Sequence, residues 1–207
     1  NPGLGIVFGV PVTTKLYRAL QQAQYGVGST CDGADTTACV PSLTSSQIRS
    51  LYSQSVADWS VFKNSAGTSI NAIATDPPAD TGVRICRRVA SSGTQASYET
   101  YWLNERCNVL GTVRPFAQPD DSSTIDDTVY SPNQFADGSL VNAAPSSGNV
   151  RTCLSSANTG DFWGIGVLST EVTDSNYNSG NAGFRFVAVD GAAPNVVNVA
   201  NGDYDFF

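Results

Sequence analysis

The stretch RICRRVASSGTQASYETYW, residues Arg84–Trp102, decides the fold. Around Ile85, apolar and polar residues alternate over 81–88, the pattern of a β-strand. Ser-Ser-Gly-Thr at 91–94 follows, and Tyr98, Tyr101 and Trp102 then recur on one side of a predicted helix that starts near these residues. The chain therefore changes from strand to helix within a few residues, and repetition of that step builds an α/β protein.

The alternation of strand and helix continues on both sides of this stretch. Strands are predicted at Gly5–Val12, Ser69–Asp76, 162–170 and 184–191, and helices at 15–26, from Thr44, over Ser146–Ser156 and briefly at 195–202. The glycines of 162–170 indicate that another part of the backbone passes close to that strand. The class predicted from this order is α/β.

The helix that begins after Thr44 has the clearest start signal in the chain. Thr44-Ser45-Ser46-Gln47 fits a capping box, in which the threonine hydroxyl accepts from the glutamine backbone while the glutamine side chain reaches back. Ile48 and Leu51 then supply an apolar stripe at helical spacing.

Composition excludes several classes of function. The 207 residues are 41% hydrophobic and carry 11 basic against 18 acidic side chains, a net charge of −7 that predicts no nucleic-acid partner. The absence of histidine removes the commonest metal ligand and general base, so we expect no cofactor and no metal. No apolar run approaches the roughly 20 residues that cross a bilayer, so we expect no membrane insertion.

Five cysteines lie at positions 31, 39, 86, 107 and 153. The segment CDGADTTAC, Cys31–Cys39, encloses a polar loop and lacks the spacing and histidines of a zinc site, which favours a disulfide between its ends. A disulfide implies an exported protein, periplasmic or secreted. Five reduced thiols in a cytosolic protein remain the alternative interpretation.

The cluster Arg88, Ser92, Gly93 and Thr94 is the candidate binding site. A helix N-terminus presents unpaired N–H groups and partial positive charge, to which the arginine and the hydroxyls add donors for an oxyanion. The same Ser-Gly-Thr sequence also fits an ordinary helix cap. Without a histidine, or a lysine near the cluster, no base is at hand to activate a hydroxyl, so the sequence predicts binding rather than catalysis.

Five segments, in order, resemble the phosphate-binding proteins of ABC transporters. They are SLTSSQIRSLYSQSVADW (42–59), RRVASSGTQASYETYW (87–102), SSGNVRTCL (146–154), FWGIGVLSTE (162–171) and FRFVAVDGAAPNVVNVANGDYDFF (184–207). The resemblance implies a type 2 periplasmic-binding-protein-like lobe, with a mixed sheet flanked by helices. It also implies an exported bacterial solute-binding protein rather than an enzyme.

The resemblance assigns roles within the candidate site. Arg88 corresponds to the family's anion-binding arginine, and Ser92, Gly93 and Thr94 correspond to its Ser-Gly-Thr donors. The implied ligand is phosphate or a similar small oxyanion, and the implied partner is an ABC transporter permease, with a free-standing secreted protein as the alternative. We expect a monomer. Ala90 stands where the family's phosphate binders have an acidic residue, which leaves the choice of anion open.

The resemblance also implies a domain organisation. Residues 1–168 correspond to the second, ligand-binding lobe, with strands near 5–12 and 165–168 that cross to the first lobe. Residues 169–207 correspond to a return segment at the edge of that first lobe, which is expected to be largely absent here together with the family's N-terminal segment. In this arrangement Cys107 and Cys153 are plausible disulfide partners, with two buried thiols as the alternative. Cys86 is expected to be buried, and either free or paired outside this chain segment.

Two further interpretations concern conspicuous side chains. Arg87 has no ligand role in the family pattern and is interpreted as a structural or solvated strand residue. The tryptophans Trp59, Trp102 and Trp163 are interpreted as core or rim packing rather than as stacking platforms for a ligand.

A second function fits the same residues. Ala90 replaces the family's acidic residue and Ser91 its usual glycine. These changes, together with the Cys31–Cys39 loop, favour a secreted or surface interaction domain that keeps the fold after the anion pocket has lapsed. A hydrolase with Ser92 as its nucleophile is the third interpretation.

Overall fold

The computed structural model describes residues 6–53, 55–89, 91–103, 141–170, 178 and 182–206. The strands are β1 (Phe8–Thr13), β2 (Ser42–Leu43), β3 (Arg84–Arg88), β4 (Val141–Ala144), β5 (Gly164–Gly166), β6 (Leu168–Ser169) and β7 (Phe184–Val189). The α-helices are α1 (Thr14–Tyr25), α2 (Ser45–Tyr52), α3 (Ile70–Ile73), α4 (Gly93–Leu103), α5 (Ser147–Thr159) and α6 (Val196–Asn201). The predicted α/β class is confirmed.

The strands form one mixed sheet, in the order β2-β7-β1-β5-β3-β4, with β6 also paired to β1. Strand β1 runs antiparallel to β5, β6 and β7, whereas β3 runs parallel to both β4 and β5. The parallel part is the one that reaches the candidate site, because both β3 and β4 lead into helices.

Glycine allows the close backbone packing that the sequence predicted for 162–170. A Cβ atom at Gly166 would lie 2.6 Å from the carbonyl oxygen of Cys86 on β3, so no larger residue fits without a shift of the backbone. The hydroxyl of Tyr52 donates to the carbonyl oxygen of Gly166 at 2.6 Å, which ties α2 to β5. The prediction of a close backbone approach is confirmed.

Helix α2 begins as the sequence predicted. The Thr44 hydroxyl accepts from the backbone N–H of Gln47 at 3.1 Å, and the Gln47 side chain accepts from the Thr44 backbone at 2.8 Å. Asp190 adds a second acceptor at this terminus, because its carboxylate accepts from the backbone N–H of Ser45 at 3.0 Å. The strand β7 and its turn are thereby joined to α2.

The core contains all three tryptophans, each no more than 1% exposed. Trp59 donates from its indole nitrogen to the carbonyl oxygen of Trp163 at 3.2 Å, whereas Trp102 packs edge-on against Tyr52 and Phe206. The tryptophans are therefore packing residues, as predicted, and are not available to stack on a ligand.

The predicted strand at Ser69–Asp76 is wrong. The segment contains the single helical turn α3, and its one bridge to another chain segment joins Ser69 to Lys63. A strand needs a neighbour along its length, and this segment lacks one among the described residues. Burial of Ile70, 1% exposed, accounts for the apolar residue that suggested a strand.

Two disulfides are present among the described residues. Cys31 is bonded to Cys39, as predicted, and Cys86 is bonded to Cys153. The second bond overturns two predictions, the Cys107–Cys153 pair and a Cys86 without a partner in this chain. The physical reason is that α5 packs against β3, which brings the Cα atoms of Cys86 and Cys153 to 5.9 Å. Cys107 lies outside the described residues.

The described parts of residues 1–168 and 169–207 share the sheet. Strand β7 pairs with β1 on one side and with β2 on the other. Their division into a second lobe and a return segment stays a prediction. No helix among the described residues is long and apolar enough to cross a membrane.

The two disulfides should contribute unequally to stability. Cys86 and Cys153 are 67 residues apart and Cys31 and Cys39 only 8, so loop-closure entropy gives about 4 kcal/mol for the first bond and about 2.5 kcal/mol for the second. Urea unfolding of the Cys86→Ala/Cys153→Ala and Cys31→Ala/Cys39→Ala double variants measures both. An equal loss, or a larger loss for the short loop, would contradict the entropic account.

Candidate functional site

The candidate site lies where β3 and β4 end side by side. The two strands are parallel, and their register pairs the last residue of β3, Arg88, with the last residue of β4, Ala144. Helix α4 begins five residues after Arg88, and α5 begins three residues after Ala144. Parallel strands with this register therefore place two helix N-termini at the same edge of the sheet.

The Arg88 side chain is half-buried and turned toward the start of α5. Its guanidinium donates to the carbonyl oxygens of Pro145 at 2.8 Å and Ala144 at 3.3 Å, and to the hydroxyl of Ser147 at 3.2 Å. A guanidinium has five N–H donors, so these three bonds leave two for another acceptor. Arg88 thus holds the corner between β4 and α5 and keeps part of its donor capacity.

Ser92, Gly93 and Thr94 lie together at the start of α4. The Ser92 carbonyl accepts the first helical bond, from Ala96 at 3.0 Å, and the amides of Gly93 and Thr94 lie in the first turn, which has no intrahelical partners. In the part of the chain that the structure describes, the hydroxyls of Ser92 and Thr94 make no hydrogen bond. Ser92 therefore does not use its side chain as a cap.

The structure separates the four predicted residues into two groups. Ser92, Gly93 and Thr94 share the first turn of α4, whereas the Arg88 guanidinium is bonded at the first turn of α5 and makes no hydrogen bond to the other three. A turn closed by the bond from the Ser92 amide to the Val89 carbonyl, at 3.0 Å, keeps the Arg88 backbone close to α4.

Helix α5 contributes to the site, which was not predicted from the sequence. Ser146 caps this helix by accepting from the backbone of Asn149 at 3.1 Å, and Ser147 accepts from Arg88. A signal was available, because Ser-Ser-Gly occurs both at 91–93 and at 146–148, each time where a strand gives way to a helix. The repeat indicates two similar strand-to-helix corners.

Residues behind the site are buried and structural. Arg87, 4% exposed, donates to the carbonyl oxygen of Arg88 at 2.7 Å, which agrees with its structural interpretation and excludes a solvated side chain. Arg84, 3% exposed, pairs with Asp80 and lies 5.1 Å from the ring centre of Phe162. Both guanidinium groups are therefore bonded within the protein.

The charges at the site favour a negative ligand. In the described ranges no carboxylate forms an ion pair with Arg88, and two helix N-termini add partial positive charge at the same sheet edge. No group of three or more cysteine, aspartate and glutamate side chains that could hold a metal occurs in the described part of the chain. Ala90 lies outside the described residues.

No protein-family model matches the chain, and no curated protein matches it in sequence. Two solved structures are similar over 98% of this chain. One is an ABC-type phosphate transport receptor from Vibrio cholerae, with 16% identity and a TM-score of 0.49. The other is described as a phosphate ABC transporter substrate-binding protein with bound phosphate, from Clostridium perfringens, with 17% identity and a TM-score of 0.44. The chain spans about half the length of each, 55% and 54%.

Arg88 and Thr94 should differ in their effect on stability. Arg88→Ala removes three hydrogen bonds and leaves two carbonyl oxygens without this donor, so a loss of about 1–3 kcal/mol in the free energy of unfolding is expected. Thr94→Val removes a hydroxyl that has no hydrogen bond and should change it by less than about 0.5 kcal/mol. Urea unfolding measures both, and a large loss in Thr94→Val would contradict the placement of that hydroxyl.

Proposed function

We propose that this chain is the ligand-binding part of an exported solute-binding protein of the phosphate-binding type, which holds a small oxyanion without chemical change. The observation that carries the proposal is the first turn of α4. Two hydroxyls, on Ser92 and Thr94, make no hydrogen bond in the described structure and lie beside the amides of Gly93 and Thr94. Four donors with no acceptor of their own are suited to an anion.

Arg88 supplies the charge for this site. Its two remaining N–H donors are available to an oxygen of the ligand while the other three hold the β4–α5 corner. An arginine already fixed by three hydrogen bonds loses little conformational freedom when the anion binds, which favours affinity. Ser147 belongs to the site in this proposal as the residue that positions the guanidinium.

The identity of residue 90 suggests which anions bind. A carboxylate near the anion accepts the proton of hydrogen phosphate and repels an oxyanion that has no proton to offer. Ala90 provides neither effect. We therefore propose that sulfate and phosphate bind with affinities within about tenfold of each other.

The remaining elements of the proposal concern the whole protein. Residues 1–168 form the second lobe, residues 169–207 return to the edge of a first lobe, and the first lobe supplies further donors when it closes on the anion. The disulfides suit a periplasmic or secreted location. An ABC transporter permease is the proposed partner, and the proposed protein is monomeric.

Isothermal titration of the full-length protein with phosphate and sulfate tests the proposal. We expect saturable binding of both anions. Thr94→Val and Ser92→Ala should each weaken binding by about tenfold or more, because each removes a donor to a charged group. Phosphate affinity should stay constant or rise with pH as the dianion replaces the monoanion, since no carboxylate at position 90 selects the protonated form.

The control variant is Ser146→Ala, which changes a serine that caps α5 rather than one that donates to the anion. It should leave both affinities within about twofold of the original while lowering stability by about 1 kcal/mol. Failure of a folded full-length protein to bind either anion, or equal losses in Ser146→Ala and Thr94→Val, would contradict the proposal.

A second candidate function is an interaction domain whose anion pocket has lapsed. The observation that favours it is that three N–H donors of Arg88 are already bonded to acceptors within the protein. The Cys31–Cys39 loop is the proposed contact surface, held to α1 by an ion pair of 2.7 Å between Arg18 and Asp32. Hydrogen bonds from Arg18 and from the Gly28 backbone lower the pKa of Asp32 to about 2, so the loop stays attached throughout the neutral range. This function would be favoured if the protein bound a partner, lost that binding when the Cys31–Cys39 bond was broken, and kept it in Thr94→Val.

A further inference from the structure

A cavity lies away from the strand ends that carry Arg88. It has a volume of about 290 Å³ and is enclosed by α1, β2, the start of α2 and the segment 62–70. Small-molecule pockets start at about 300 Å³, so this cavity suits a ligand on the order of ten non-hydrogen atoms. None of the four residues of the candidate anion site lines it.

The inner wall of the cavity is apolar. Leu20, Leu43, Phe62 and Ile70 line it, and each is between 1% and 9% exposed. Leu20 comes from α1, Leu43 from β2 and Ile70 from α3, and Phe62 lies in the segment before α3, so separately packed parts of the chain fix the wall. An apolar wall of this kind favours a hydrocarbon group over a bare inorganic ion.

Two amide side chains at the mouth, those of Gln47 and Asn64, have NH₂ donors to offer a ligand. The carbonyl oxygen of the Gln47 side chain accepts from the Thr44 backbone at 2.8 Å. That of Asn64 accepts from the backbones of Ala66 and Thr68 at 3.0 and 2.9 Å. The NH₂ groups of Gln47 and Asn64 make no hydrogen bond among the described residues. Since the oxygen atoms also fix which way each amide points, the mouth offers N–H groups to a ligand.

Lys63 adds a positive charge to the same mouth. Its side chain is exposed, lines the cavity and forms no ion pair within the described parts of the chain. Lys15, the other lysine of the protein, is paired with Asp161 at 2.6 Å and Asp76 at 3.5 Å. Among the described residues no aspartate or glutamate lines the cavity, so the charge of Lys63 is not neutralised there.

We propose that this cavity binds a small monocarboxylate with a short aliphatic or aromatic tail. The carboxylate lies between Lys63 and the NH₂ groups of Gln47 and Asn64, and the tail lies against Leu20 and Ile70. A carboxylate accepts only, which matches the charge of Lys63 and the NH₂ donors of Gln47 and Asn64. The unpaired charge of Lys63 would repel a cation.

The test is a titration of the full chain followed by NMR, with the methyl and amide signals assigned. The probes are sodium hexanoate and sodium benzoate, and the uncharged controls are hexan-1-ol and benzyl alcohol. We expect both carboxylates to shift the methyl signals of Leu20, Leu43 and Ile70 saturably, with a Kd of about 1 mM or tighter. Each alcohol should bind at least roughly threefold more weakly than the carboxylate of the same tail, because it lacks the charge.

Variants of the two lysines distinguish binding at this cavity from a general effect of the protein's net charge. Lys63→Gln should weaken hexanoate binding by roughly three- to tenfold, and Lys63→Arg should retain most of it. Lys15→Gln, the matched control on the other lysine, should leave it unchanged. Because Lys63 is exposed and unpaired in the described structure, its replacement should not impair folding.

Several outcomes would overturn the inference. They are equal binding of hexanoate and hexan-1-ol, unchanged binding in Lys63→Gln, no saturation by about 10 mM, and shifts confined to Gly93 and Thr94. The last outcome would assign carboxylate binding to the α4 terminus and would leave the proposed oxyanion function intact. Loss of oxyanion binding with hexanoate binding retained would instead overturn the proposed function alone.

Discussion

The parallel register of β3 and β4 is the constraint on which the candidate site depends. Because Arg88 is paired with Ala144, both strands end at the same level, and the helices that follow begin at the same edge of the sheet. The Cys86–Cys153 bond supports this arrangement, because it joins β3 covalently to the second turn of α5. Close packing of Gly166 against the Cys86 carbonyl keeps β5 against the other side of β3.

Arg88 is both a structural residue and the charged residue of the proposed site. Its bonds to Pro145, Ala144 and Ser147 order the β4–α5 corner, and the same bonds fix where its remaining donors can reach. An effect of Arg88→Ala on binding would therefore combine lost charge with a disturbed corner. The hydroxyls of Ser92 and Thr94 make no hydrogen bond within the described residues. Their removal should therefore change binding without disturbing the structure. The proposed oxyanion function and the lapsed-pocket alternative differ chiefly in whether these hydroxyls meet a ligand.

Local sequence signals predicted much of the fold. The capping box at Thr44, the strand-to-helix step at 84–102 and the short Cys31–Cys39 bond all follow from residues close together in the chain. The errors involved distant partners. Whether Ser69–Asp76 forms a strand depends on a neighbouring strand, and the partner of Cys86 depends on how α5 packs against β3. The same limit applies to the site, since Arg88 and Ser92 were found from sequence, whereas Ser147 is 59 residues away from Arg88 and was missed.

We propose that the first turn of α4 holds an oxyanion, and NMR of the ¹⁵N-labelled full-length protein during titration with phosphate tests this at the residues concerned. We expect saturable shifts of the Gly93 and Thr94 amides, with smaller shifts at Gly148 in the first turn of α5. Unchanged Gly93 and Thr94 signals at saturating phosphate, in a protein whose other signals show a folded chain, would contradict it.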